Sequence, residues 1–143
     1  MIIRIGNAID LEPILSIEKR AFPELPWSRE MINQELQENP DRNTWVTETD
    51  GNIIGYCMVR YVFGESHLIN MAVDPSYQKI GLGRKLLHHF LDQSPHNSSV
   101  LLEVKRGNFP AINLYLDAGF EEMAIHEKYY TDGEDAIIMC LKV

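Results

Sequence analysis

An apolar strand end passes into an amphipathic helix through the stretch VDPSYQKIGLGRKLL, residues 73–87. Gly81 and Gly83 let the backbone approach a bulky ligand closely, because neither residue carries a Cβ. The first turn of a helix also presents unpaired N–H groups and the positive end of the helix dipole. The pattern Q-x-x-G-x-G therefore predicts an anion site, of a size suited to a pyrophosphate.

This phosphate cradle has a competing interpretation, a glycine-rich helix entry surrounded by solvated cations. Its three fixed positions are a weak pattern, and its place after an apolar strand is what favours a ligand site. The stretch lacks the G-K-[ST] ending of a P-loop and the third spaced glycine of a dinucleotide fingerprint. The residues assigned to the cradle are Gln78, Lys79, Ile80, Gly81, Leu82, Gly83 and Arg84.

Upstream of the cradle, the apolar spacing predicts a strand at 2–5, a helix at 10–21 and a second helix that Ser28 caps. The run 44–61 is rich in β-branched and aromatic residues and is broken by Asp50-Gly51-Asn52, which indicates a hairpin. A third strand at 67–73 completes an antiparallel meander.

Downstream, helices at 81–91 and 108–118 alternate with strands at 100–104, near 120 and at 136–141. This alternation is a βαβ signature and predicts a parallel part of the sheet. Gly119 is well placed to end the second helix in a left-handed conformation. We expect a mixed α/β fold and one domain over residues 1–143, with no internal repeat or linker.

Composition narrows the function classes. The net charge of −8 disfavours nucleic-acid binding and mildly favours a cationic acceptor such as an amine. Cys57 and Cys140 lie in apolar runs and are expected to be buried free thiols, in keeping with a reducing cytoplasm. No apolar run is long enough to span a bilayer, so we expect no membrane association and a cytoplasmic protein.

Three polar residues are candidates for chemistry. Glu103 lies in the run VLLEV, whose apolar character predicts a strand buried on both faces, so the carboxylate is paired with Lys105 or Arg106, exposed at a cleft, or a proton acceptor. Asn108 and Tyr115 share one face of the next helix, two turns apart. Capping by Asn108 and core packing by Tyr115 are their competing interpretations.

Other chemistries lack support in the sequence. The five histidines show no H-x-x-x-H or Cys/His spacing, so no metal site is expected. The G-x-S-x-G turn that presents a serine nucleophile is also missing. These absences disfavour hydrolase and metalloenzyme functions.

The order of these features resembles the GNAT acetyltransferase superfamily over nearly the whole chain. The most specific match is N-x-x-A-x-x-L-Y-x-x-x-G-F at 108–120. Within the superfamily, the chain most resembles the ribosomal-protein-alanine N-acetyltransferases. The blocks that carry this likeness are PWS at 26–28, NMAVDP at 70–75, LEV at 102–104, YY at 129–130 and DGEDAIIM at 132–139.

The resemblance implies the GNAT fold and acetyl-CoA as the acyl donor, entering a V-shaped opening between the fourth and fifth strands. The pantetheine arm is then expected along the backbone of Met71, Ala72 and Val73, with Asn108 as a further cofactor contact. Glu103 is implied as general base and Tyr115 as general acid towards the CoA thiolate. No cysteine nucleophile is required in this scheme.

The expected acceptor is the α-amine of a protein N-terminus, with a ribosomal protein favoured. Trp27, Tyr129 and Tyr130 are candidates for shaping the peptide entrance, although packing alone would also explain them. Two alternatives remain at this point. One is acetylation of a small amine such as a polyamine, and the other is a non-catalytic acyl-CoA binding module.

Overall fold

The computed structural model describes residues 1–143, which form seven strands and four α-helices. The strands are β1 (Ile2–Ile5), β2 (Arg42–Thr49), β3 (Asn52–Val62), β4 (Glu65–Val73), β5 (Ser99–Lys105), β6 (Glu121–His126) and β7 (Ala136–Lys142). The helices are α1 (Leu11–Ala21), α2 (Arg29–Leu36), α3 (Leu82–Gln93) and α4 (Phe109–Asp117). One mixed sheet contains all the strands in the order β1-β2-β3-β4-β5-β7-β6.

The first four strands form the antiparallel meander that the sequence predicts. The turn between β2 and β3 places Asp50 and Gly51 at φ of 51° and 79°, a left-handed geometry that Asp tolerates and Gly favours. A register shift interrupts the pairing of β3 with β4 between Met58 and Val59. Such a bulge bends the strand and increases its twist.

Two apolar cores lie on opposite faces of the sheet. On β3, Tyr56 and Met58 pack with α1 and α2, whereas Cys57 and Val59 pack on the face that also buries Leu86 of α3. This alternation follows from the two-residue period of a strand. The layers are therefore α1 and α2, then the sheet, then α3 and α4.

Capping residues place the helix ends where the sequence predicts. The Ser28 hydroxyl accepts the Met31 N–H at 3.2 Å, which confirms the N-cap of α2. Gly119 has a φ of 101° and follows the last turn of α4, which confirms its left-handed position. None of the helices has the length and apolar character needed to cross a membrane.

The pairing of β4 with β5 positions the site. These two strands are parallel and are joined through α3, but they pair only from Glu65↔Ser99 to Leu68↔Leu102. Beyond that point the edge of β4 from 69 to 73 has no partner in β5, although β3 still covers its other edge. The two strands therefore leave the opening that the sequence resemblance implies.

Two details of the second half differ from expectation. Only Val100, Leu102 and Val104 of β5 are buried, while Glu103 is exposed, so the prediction of burial on both faces was wrong. The reason is that the other face of β5 borders a cavity. In addition, β7 lies between β5 and β6 and is antiparallel to both, so β4-α3-β5 is the parallel unit.

The last strand in the sheet order, β6, is an edge strand and all of its residues are exposed. Glu121 and Glu122 begin it. A register shift against β7 falls between Glu122 and Ala124. The ladder between these two strands is therefore irregular at its outer end.

Candidate active site

A cavity of about 600 Å³ lies on the α1 and α2 side of the sheet, next to the opening between β4 and β5. Trp27, from the α1–α2 connection, forms one wall. Tyr129 and Tyr130, from the β6–β7 connection, form another. Glu103 also lines the cavity, so the structure brings the predicted base and the predicted peptide-entrance residues to one site.

Glu103 reaches the cavity because strand alternation places it on the face opposite Leu102 and Val104. Its backbone pairs with Ile138 of β7, which fixes its position in the sheet. No ion pair joins its carboxylate to a Lys or Arg. The neighbouring cations are used elsewhere, since Lys105 pairs with Asp132 at 2.5 Å and Arg106 with Asp135 at 3.1 Å.

Those two ion pairs also hold the tyrosine wall. They join the end of β5 to the segment that follows Tyr129 and Tyr130, and the Lys105 ammonium lies 5.2 Å from the centre of the Tyr130 ring. Each pair is largely exposed, so its contribution to stability is small. Together they give the connection a defined path across the cavity.

The Glu103 carboxylate is close enough to both tyrosines to affect their ionisation. Hydrogen bonding towards Glu103, together with its negative charge, raises the pKa of Tyr129. Burial is the main cause that raises the pKa of Tyr130 to about 12, and the charge of Glu103 adds to it. Both phenols are therefore neutral hydrogen-bond donors at neutral pH.

The phosphate cradle lies at the start of α3, after β4. Gly81 adopts φ of 85° as the N-cap residue, a conformation that glycine permits without strain. The first backbone hydrogen bond of the helix is Lys85 N–H to Gly81 C=O at 3.1 Å, and no side chain caps the turn. The N–H groups of Leu82, Gly83 and Arg84 are thus left for a ligand, as the sequence predicts.

The side chains of the cradle have different environments. Gln78 donates to the Val73 carbonyl at 3.1 Å and so folds the cradle back onto β4. Leu82 is buried and Ile80 is exposed, so Leu82 can offer a ligand only its backbone. Arg84 pairs with Asp117 of α4 at 3.1 Å in an exposed ion pair. The backbone N–H groups of the first turn are therefore the main donors that the cradle offers an anion.

The predicted pantetheine contacts lie on the open edge of β4. Met71 and Val73 pair with Cys57 and Gly55 of β3, while β5 offers them no partner. Ala72 is buried in the core beneath α1 and α2, so its side chain does not face the opening. This stretch of backbone is an unpaired strand edge of the kind that an extended ligand can join.

Tyr115 lies on the opposite face of the sheet from the cavity. It is buried in the core with Leu102 and Val104, and its ring centre is 5.8 Å from that of Phe120. Burial raises the pKa of its phenol, and the nearby Cys57 and Tyr130 raise it further. Tyr115 therefore belongs to the core on the α3 and α4 side of the sheet, whereas Glu103 faces the cavity.

Asn108 and the cysteines have mainly structural positions. The Asn108 side chain accepts the Ala111 N–H at 3.4 Å and caps α4, which is the simpler of its two interpretations. Cys57 is fully buried and burial raises the pKa of its thiol, whereas Cys140 is only half-buried. The expectation of two buried thiols was therefore wrong for Cys140. No group of three His, Cys, Asp or Glu side chains is arranged to hold a metal ion.

Glu18 of α1 is a polar residue that the sequence reasoning missed. It is 1% exposed, and its carboxylate accepts the backbone N–H of Trp27 at 2.9 Å. A signal was present in the sequence, because Glu18 lies four residues after Ile14 and so on the apolar face of the helix. Acidic residues are seldom fully buried unless their carboxylates have partners.

Comparison with known proteins agrees with this geometry. The model of the acetyltransferase (GNAT) family matches residues 11–120. The [ribosomal protein bS18]-alanine N-acetyltransferase of Escherichia coli (strain K12) is 40% identical over 139 residues, which cover 94% of this chain and 92% of the relative. The N-alpha-acetyltransferase of Sulfurisphaera tokodaii is 35% identical over 153 residues, covering 95% and 90% of the two chains.

A solved structure extends the agreement to three dimensions. The crystal structure of the ribosomal-protein-S18-alanine N-acetyltransferase from Escherichia coli matches with a TM-score of 0.90 and 36% identity. The match covers 98% of this chain and 92% of that chain. With the split parallel pair, the uncapped helix start and the matched family model all in agreement, this chain belongs to the GNAT family of acetyltransferases.

Proposed function

We propose that this protein transfers the acetyl group of acetyl-CoA to the N-terminal α-amine of a ribosomal protein, with a bS18-type N-terminus as the favoured acceptor. The observation that carries the proposal is the cavity that Glu103, Trp27, Tyr129 and Tyr130 share. The similarity to [ribosomal protein bS18]-alanine N-acetyltransferases supports the choice of acceptor.

The two ligands approach from opposite faces of the sheet. Acetyl-CoA supplies an acetyl group on a thioester, and transfer forms an N–C bond while it breaks the C–S bond. The cradle N–H groups of Leu82, Gly83 and Arg84 bind the phosphates, and the edge of β4 at 71–73 orients the pantetheine arm. The acceptor peptide fills the cavity beyond the opening.

Glu103 acts as the general base in this proposal. The acceptor α-amine is mostly an ammonium ion at neutral pH and must lose a proton before it can attack a carbonyl. Glu103 is free of cationic partners and faces the cavity, so its carboxylate can accept that proton, directly or through water. The Tyr129 and Tyr130 phenols donate hydrogen bonds and orient the peptide.

Tyr115 acts as the general acid on the other face. Burial raises the pKa of its phenol, which is therefore protonated at neutral pH. It is therefore available to give a proton to the departing thiolate sulfur. Asn108 lies at the start of α4, the helix that carries Tyr115. It is proposed as a cofactor contact in addition to its capping role.

The test is mass spectrometry of acetyl transfer to an alanine-initiated peptide and to the same peptide with a blocked N-terminus. We expect a product only on the free α-amine, and far slower product formation with the Glu103→Gln variant. A panel of small amines, including a polyamine, is assayed in parallel. Product on small amines alone would contradict the proposed acceptor, and acetyl-CoA binding without transfer to any acceptor would contradict the enzymatic function.

A further inference from the structure

Glu18 is a buried carboxylate with no cationic partner and three hydrogen-bond donors. Its Oε1 accepts from the Tyr56 hydroxyl at 2.5 Å and from the Asn70 amide nitrogen at 2.7 Å. Its Oε2 accepts the Trp27 backbone N–H at 2.9 Å. One side chain of α1 thus connects β3, β4 and the α1–α2 connection.

The bond to Trp27 fixes one wall of the acceptor cavity. The Trp27 side chain lines that cavity, and its backbone is held by Glu18 on one side. The next residue, Ser28, caps α2 through its bond to Met31 N–H. Two consecutive residues therefore fix the backbone here: Trp27 is bonded to α1, and Ser28 is bonded to the first turn of α2.

The bond to Asn70 reaches β4, which also borders the same cavity. Asn70 follows Ile69, which lines the cavity and lies at the register shift of β4 where pairing with β5 has already ended. The Glu18 carboxylate therefore joins the Trp27 wall to β4 at the place where the strand turns away from β5. No other side chain bonds to both of these segments.

Burial of a carboxylate is costly, and an apolar side chain of similar volume would fill the same space without that cost. All the bonds of Glu18 lead to elements that border the acceptor cavity. We infer that Glu18 is a positioning residue for the acceptor substrate, which holds the Trp27 wall at a set distance from Glu103 across the cavity. This inference rests on the proposed function, since it concerns the same acceptor site.

Glu18→Met is the most direct test because methionine has a similar volume but offers no comparable acceptor. The Trp27 N–H then loses its partner and the wall loses its fixed position. We expect KM for the acceptor peptide to rise about tenfold, while KM for acetyl-CoA stays within about twofold of wild type. Steady-state kinetics with each substrate varied in turn measures both values.

Glu18→Gln is the conservative variant. Its amide oxygen can still accept from Trp27, while its NH₂ group can donate to the Tyr56 hydroxyl and to a flipped Asn70 amide. We expect it to restore the peptide KM to within about threefold of wild type. Lys19→Gln, on an exposed position of the same helix, is the matched control and should leave both KM values unchanged.

If Glu18→Met does not fold, Glu18→Asp tests the positioning role instead. Glu18→Asp keeps the charge but is one methylene shorter, so it cannot reach Trp27 and Asn70 together. We expect its peptide KM to rise about three- to tenfold with circular dichroism like that of wild type. A peptide KM within twofold of wild type in this folded variant would overturn the inference, as would equal rises in both KM values.

Fluorescence provides a readout that does not depend on turnover. The chain has two tryptophans, so a Trp45→Phe background leaves Trp27 as the only indole. In that background we expect Glu18→Asp to shift the Trp27 emission to longer wavelength and to increase its quenching by acrylamide. Unchanged emission would contradict the positioning role, whereas wild-type protein that fails to acetylate the peptide would instead reject the proposed function.

Discussion

The two faces of β5 differ in what covers them. One face packs Val100, Leu102 and Val104 against the core that contains Tyr115. The other face presents Leu101 and Glu103 to a cavity of about 600 Å³. The difference teaches that one strand can pack into the core on one side and border an open cavity on the other.

The same contrast separates residues that are expected to affect stability from residues that are proposed to affect turnover. A residue on the core face contributes by filling space, and its loss leaves a void. A residue on the cavity face lacks such packing, and its proposed contribution is contact with a ligand during turnover. Substitutions on the two faces should therefore affect different measurements, and four predictions follow this division from the largest effect to the smallest.

Glu103→Gln should have the largest effect. The amide cannot accept the proton of the acceptor ammonium, so we expect turnover to fall about 10² to 10⁴ fold. Acetyl-CoA affinity, measured by calorimetry, should change little because the cradle is untouched. Glu121→Gln, an exposed position on β6, is the matched control, and unchanged turnover in Glu103→Gln would reject the assigned role.

Leu102→Ala tests the core face. Leu102 is 3% exposed, so the truncation should lower the free energy of unfolding by about 2 to 4 kcal/mol. Leu101→Ala, one residue earlier on the cavity face, should lower it by less than about 1 kcal/mol. Urea unfolding measures both, and equal losses would contradict the division between the two faces.

Tyr115→Phe tests whether a core residue also serves the reaction through the strand opening. We expect turnover to fall about 10 to 100 fold, which is less than for Glu103→Gln. The reason is that a thiolate is a good leaving group and depends less on proton donation than a more basic leaving group would. The thermal unfolding midpoint should remain close to that of wild type, since the ring is retained. A normal rate across the whole pH range would rule out the acid role.

The smallest effect concerns pH. Burial raises the pKa of Tyr115 above its usual value of 10.0, so the folded state favours the neutral phenol. The free energy of unfolding is therefore unaffected by ionisation of this group below pH 10. It falls as the pH rises further, because the phenol then ionises in the unfolded state but stays neutral in the folded state. Between pH 9 and 11 we expect wild type to lose about 1 kcal/mol more than Tyr115→Phe in urea unfolding, and equal losses would contradict it.

Local sequence rules predicted much of the fold. The turn at Asp50-Gly51, the cap at Ser28 and the left-handed Gly119 each depend on backbone preferences of individual residues. The start of α3 at Gly81 also depends on local backbone preferences, because this residue adopts a positive φ of 85° as the N-cap. Such features are determined within a few residues of sequence.

Features that depend on distant segments were harder to predict. The sequence of the run VLLEV does not show whether its second face packs against a core or borders a cavity. The prediction that both faces of β5 are buried was therefore wrong. The antiparallel position of β7 beside β5 depends on pairing across the sheet, which the βαβ rhythm does not specify. The contacts of Glu18 likewise join segments up to 52 residues apart.

The edge strand β6 has a consequence for behaviour at high concentration. An exposed strand edge can template association with a second chain, and Met123 and Ile125 add apolar surface to this one. Two adjacent carboxylates at Glu121 and Glu122, with the register shift that follows them, make a poor template for another strand. Colloidal stability should therefore decrease at high ionic strength, where salt screens the repulsion between copies of this edge.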